Sequence, residues 1–98
     1  MADSTCIKDG QVSGDSYHPP VKRSVEIAGH KTSISLEPIY WDALKRAALA
    51  ENVPLNALVA RIDRQRLDSD VPPGLAGAIR IWLLSQLLAE QAQKKVEG

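Results

Sequence analysis

The stretch 30-HKTSISLEP-38 decides the fold. Thr32, Ile34 and Leu36 alternate with Lys31, Ser33 and Ser35, the period-two pattern of a strand. One face is oily and the other carries small polar and basic groups. Pro38 suits the first turn of a helix, where its missing N–H is no loss. Glu37 before it is placed to cap that helix, and its charge suits the helix N-terminus.

Downstream the period changes. Trp41, Leu44, Ala47 and Ala48 recur at spacings of three and four, which predicts a helix from about Pro38 to Glu51. Asn52 tolerates a left-handed backbone and is placed to end it. Pro54 permits a new start. Leu55, Leu58, Val59 and Ile62 form the stripe of a second helix ending near Leu67. The run 68-DSDVPPG-74 is a turn-rich break. A third helix is expected from about Leu75 to Lys94. Its apolar residues (Leu75, Ile79, Ile81, Trp82, Leu83, Leu84, Leu87, Leu88) surround most of its axis, so it wants burial on more than one side.

Upstream, 21-VKRSVEI-27 alternates as well, and 28-AGH-30 separates it from the first stretch. The pair reads as a hairpin, or as one strand preceded by an extended arm. Residues 1–20 are polar and aperiodic and are expected to be disordered. The expected organisation is this tail, a domain over 21–70, and a C-terminal helix over 71–98 that serves a dimer or higher-order interface.

Ninety-eight residues suit one domain with a modest core, which favours association. The formal net charge is zero. That average hides a basic ribbon, with Lys22, Arg23 and Lys31 following the acidic Asp3, Asp9 and Asp15. Cys6 stands alone, with neither a disulfide partner nor metal-ligand spacing. No Gly-rich phosphate loop, His–acid pairing or carboxylate pair is present, so no enzyme activity, metal or cofactor is expected. The most apolar stretch is too short to cross a bilayer, and a cytoplasmic location is the default.

A strand with an open edge invites a partner. Two copies pairing antiparallel across a two-fold axis would turn Thr32, Ile34 and Leu36 onto the helices. Lys31, Ser33 and Ser35 of each copy would then line the other face. Such a ribbon fits the major groove of B-DNA, where lysine reaches guanine acceptors and serine either donates or accepts.

The string 22-KRSVEIAGHKTSISLEPIYWDALKRAALAENVPLNALVARID-63 resembles the ribbon-helix-helix superfamily, the class of the Arc and MetJ repressors. It is similar to a bacterial branch with the pattern AGHKTSISLEP…LNALV. The resemblance runs from about Val21 to Ile62, with a weaker match through 78-AIRIWLL-84. It implies a mainly α fold with a short β-ribbon, built as an intertwined homodimer, here with an extra C-terminal helix. It implies base contacts from Lys31, Ser33 and Ser35, and phosphate contacts at the start of the second helix, Leu55 and Asn56. Thr32, Ile34, Leu36, Trp41, Leu44, Leu58, Val59 and Ile62 would form the dimer interface. Pro54 departs from the Ser or Thr usual at that helix start, removing a side-chain cap and a backbone donor.

Lys22 and Arg23 read equally as phosphate contacts or as charges that solubilise an edge strand. Arg61, Arg64 and Arg66 read as a solvated helix face. Trp41 and Trp82 read as core. The leading functional expectation is a sequence-specific DNA-binding transcriptional regulator, its partners being itself, as a homodimer or as a tetramer through the third helix, and double-stranded DNA. The alternative is a dimer that acts as an assembly module through that helix without binding DNA. An antitoxin ranks below both, because the C-terminal region reads as helix rather than as a disordered toxin-binding segment.

Overall fold

The computed structural model describes residues 17–97, with side chains described through Gln93. Residues 1–16 of the expected tail, Cys6 among them, lie outside the described residues. Tyr17 to Pro20 are exposed and without regular structure.

Two strands open the fold, β1 (Val21–Ile27) and β2 (His30–Leu36). They pair antiparallel along their whole length, from Val21 opposite Leu36 to Ile27 opposite His30. The first run is therefore a full strand, not a loose arm. Ala28 (φ 51°) and Gly29 (φ 83°) form the two-residue connection. Positive φ at both positions is what a type I′ turn needs, and its twist matches that of the strands. Gly29 adopts this freely, whereas at Ala28 the Cβ costs about 1 kcal/mol.

Three helices follow: α1 (Pro38–Glu51), α2 (Leu55–Leu67) and α3 (Leu75–Glu97). Asn52 ends α1 in the left-handed region (φ 59°, ψ 43°). Its N–H donates to the Leu49 carbonyl and that of Val53 to the Ala48 carbonyl, each at 3.0 Å, satisfying carbonyls at the helix end. Glu37 occupies the N-cap position of α1 but makes no side-chain cap bond. Its carboxylate instead takes the Arg80 guanidinium of α3 at 2.8 Å. The sequence pattern placed Glu37 correctly and misjudged its partner, because Arg80 is remote in sequence.

The inner face of the hairpin closes over the helices. Val25, Ile27, Ile34 and Leu36 are buried with Trp41, Leu44 and Ala48 of α1, Leu58, Val59 and Ile62 of α2, and Ala78 and Ile79 of α3. α2 packs beneath β1, while α3 packs beneath β2 and against both other helices. Ile34, Leu36, Trp41, Leu44, Leu58, Val59 and Ile62, expected to be buried by a partner chain, are already at most 2% exposed within one chain. The strand β1 and the start of α3 supply that cover, two elements that a minimal strand-helix-helix unit lacks. Thr32, on the same face, is half-buried opposite Val25.

α3 runs to Glu97, three residues past its expected end. From Leu84 to Gln93 every residue is exposed. Among the described residues no helix is long and apolar enough to cross a membrane.

Candidate nucleic-acid interface

The pleat sends alternate residues of both strands outward. The register makes three cross-strand pairs on the outer face: Lys22 with Ser35, Ser24 with Ser33, and Glu26 with Lys31. Ser35 is half-buried and the other five are exposed. Lys31, Ser33 and Ser35 thus share one face, as the alternation implied. Ser24 and Glu26 join them. Cross-strand register brings them there: the two-residue turn at Ala28–Gly29 fixes the register, and the register fixes who stands opposite whom. The far edge of β2 has no strand beside it among the described residues.

Arg23 is not part of this face. It alternates with Lys22, so it points to the helix side, where its guanidinium lies 5.6 Å from the centre of the Trp41 ring. The Trp41 Nε1–H donates to the Val21 carbonyl at 2.9 Å. Together these contacts fasten the outer strand to α1. Lys22 and Arg23, paired in the sequence reading as phosphate contacts, are divided between the two sides of the hairpin.

Pro54 stands at the N-cap of α2 with an extended backbone (φ −65°, ψ 153°). Its carbonyl accepts the amides of Ala57 at 3.1 Å and Leu58 at 3.2 Å. The amides of Leu55 and Asn56 have no backbone acceptor among the described residues. Asn56 is exposed and Leu55 half-buried. Free amides at a helix N-terminus are the ordinary donors to a phosphate.

Several helical cations are neutralised within the chain. Arg61 pairs with Glu51 at 2.8 Å and sits 5.9 Å from the centre of the Trp82 ring. Arg66 pairs with Asp63 at 2.7 Å and donates to the Pro73 carbonyl at 3.0 Å, bracing the link into α3. Arg80, besides holding Glu37, lies 5.4 Å from the centre of the Tyr40 ring. The Arg80 hydrogen bond is the main reason the Glu37 carboxyl titrates below its ordinary range, with its own backbone amide adding to the shift. Among the described residues no cluster of His, Cys, Asp or Glu is placed to hold a metal ion.

No curated protein and no solved structure matches this chain. A family model described as "Ribbon-helix-helix domain" matches residues 20–87, which takes in the hairpin, α1, α2 and the packed part of α3. Domains of this kind generally dimerise and bind DNA through a β-ribbon. On the strength of that match and of the strand and helix order beneath it, the chain belongs to the ribbon-helix-helix family.

Proposed function

We propose that the protein is a homodimeric, sequence-specific DNA-binding regulator that reads the major groove with its hairpin face. The observation that carries this is the hydroxyl and lysine face of β2 lying next to an unpaired β2 edge. Two copies pairing through that edge put Lys31, Ser33 and Ser35 of both chains side by side, over base edges. The sheet so formed has four strands, with the two β1 strands outermost. At about 4.8 Å per step those outer strands stand about 14 Å apart, slightly more than the ~12 Å width of the major groove. The β2 pair therefore enters the groove and each β1 rides its rim. Lys22 and Ser24 then meet phosphates rather than bases. The Leu55 and Asn56 amides of each α2 hold a backbone phosphate further out. Pro54 contributes no donor there, so this clamp rests on those two amides.

Selection of bound sequences from a random duplex pool by the purified full chain tests the reading. The expected result is a palindromic motif, bound tightly at low salt and weakened by Lys31→Ala with Ser33→Ala. Failure of the wild-type chain to retain any duplex refutes it.

A further inference from the structure

We propose that one chain of this protein is a complete folding unit, with β1 standing where the strand of a second copy would otherwise lie. Association of two copies is then a reversible step between subunits that are already folded. This unit exists whether or not its outer face reads DNA.

The register of the hairpin has a centre, Ser24 opposite Ser33. The pairs on either side of it correspond, Lys22–Ser35 with Glu26–Lys31 and Val21–Leu36 with Ile27–His30. The sequence follows the same centre. Lys22, Ser24, Val25 and Ile27 recur, in the same order and spacing, as Lys31, Ser33, Ile34 and Leu36. The hairpin is therefore an approximate two-fold ribbon made within one chain. β1 repeats the inward apolar pair and the outward lysine and serine that β2 offers. It departs from β2 at Arg23, which takes the place of Thr32 and lies over Trp41 of its own α1. That contact and the Trp41 hydrogen bond to Val21 tie β1 to the helices of its own chain.

The core is complete without a second chain. A strand-helix-helix unit that needed a partner would leave Ile34, Leu36, Trp41, Leu44, Val59 and Ile62 bare, and here none is more than 2% exposed. Val25 and Ile27 of β1, with Ala78 and Ile79 of α3, close the same cluster. Among the described residues no buried side-chain nitrogen or oxygen lacks a hydrogen-bond partner. Nothing inside the core therefore calls for a polar group from another chain. Two strands alone are marginal in water, and packing against helices makes them stable. Val21 to Leu83 span roughly 60 residues, a length at which single domains fold alone. Tethering decides which strand lies beside β2. β1, joined to it by a two-residue turn, meets it at an effective concentration of about millimolar or more, which a free second copy does not reach in dilute solution.

Dilution of the full chain tests the proposal. Size-exclusion chromatography with tryptophan-fluorescence detection follows its mass from high micromolar to nanomolar concentration. The expected result at the dilute end is a monomer that keeps the buried-tryptophan emission of the concentrated sample, with a urea midpoint that no longer changes on further dilution. Loss of that emission as the chain dissociates overturns the proposal. So does a chain that stays dimeric until urea unfolds it, with a midpoint that climbs by about 1 M or more for each hundredfold rise in concentration. A second measurement identifies the strand beside β2. Cα atoms directly opposite each other in antiparallel strands lie about 4.5–5.5 Å apart, within reach of a disulfide. Cys6→Ser carrying Ser24→Cys and Ser33→Cys should therefore oxidise in dilute solution to a monomer with no free thiol. Disulfide-linked dimers, or thiols that stay free, overturn the place given to β1.

Discussion

Replacing Trp41 with Phe should loosen β1 from the helices without abolishing the fold. Trp41 is 1% exposed and makes two specific contacts with β1, the 2.9 Å hydrogen bond to the Val21 carbonyl and the face offered to Arg23 at 5.6 Å. Phenylalanine keeps a ring but has no donor. The lost hydrogen bond contributes about 1 kcal/mol. The ring shrinks by about three heavy atoms in a sealed pocket, worth about 2 kcal/mol at ~0.8 kcal/mol per methylene equivalent. A weaker ring quadrupole under Arg23 removes about 0.5 kcal/mol more. The sum, about 3.5 kcal/mol, is less than the 5–15 kcal/mol that ordinary domains possess. With a urea dependence of about 1 kcal/mol per molar, the midpoint should fall by roughly 3.5 M. Urea titration followed by far-UV circular dichroism measures it, at one fixed protein concentration because dimerisation shifts the apparent stability. Amide exchange should quicken most in β1. A midpoint drop below about 0.5 M, or exchange that quickens in α2 and not in β1, would refute the claim that this indole is what fastens the outer strand.

Two further outcomes follow from the hairpin register and from the link between β2 and α3. Glu26 is the one acid on the outer face and stands opposite Lys31. On the rim of a groove a carboxylate about 6 Å from a phosphate costs roughly 1 kcal/mol in a mostly aqueous setting. Glu26→Gln should therefore tighten binding to random-sequence DNA about 30-fold for two copies and narrow the gap between specific and non-specific sites; anisotropy titrations showing no gain would count against a β1 strand at the groove rim. Glu37→Gln should cost at most about 1 kcal/mol at neutral pH, since the Arg80 pair is about one-third exposed and solvent screens it. Because the folded-state pKa of Glu37 is depressed, its contribution is present above the ordinary glutamate range and is lost as pH falls through the lowered value. Denaturation curves of wild type and variant should thus converge in acid, and a difference that persists there excludes Glu37 ionisation as its source.

Local patterns gave accurate local structure. The alternation of Thr32, Ile34 and Leu36 marks β2, Pro38 and Asn52 bound α1 at its true ends, and the Leu55–Leu58–Val59–Ile62 stripe is the buried side of α2. Those signals depend on residues within a few positions of one another. What stayed hidden depends on distant partners. Glu37 looks like a cap until Arg80 arrives from α3, and Arg23 looks like a twin of Lys22 until Trp41 comes beneath it. Ala28 also conceals its turn, because alanine seldom adopts the positive φ it holds here. The reading face was half legible for the same reason. β2 declares its outer residues by alternation, but Ser24 and Glu26 belong to the face only through cross-strand register. The core was legible as a set and not as an assembly, since a stripe of apolar residues says that it is covered and not by which chain.

The pairing of Arg61, Arg66 and Arg80 with carboxylates of their own chain has a consequence for how the protein meets a polyanion. With those helical charges cancelled locally and the whole chain neutral, the molecule has little monopole to be drawn by at long range. It keeps a dipole, with Lys22 and Lys31 on the sheet side and Asp68 and Asp70 in the link between α2 and α3. A dipole orients more than it attracts, and it acts only within about a Debye length. Encounters with DNA should therefore be infrequent but well aimed, with an association rate that changes less with salt than that of a uniformly basic protein.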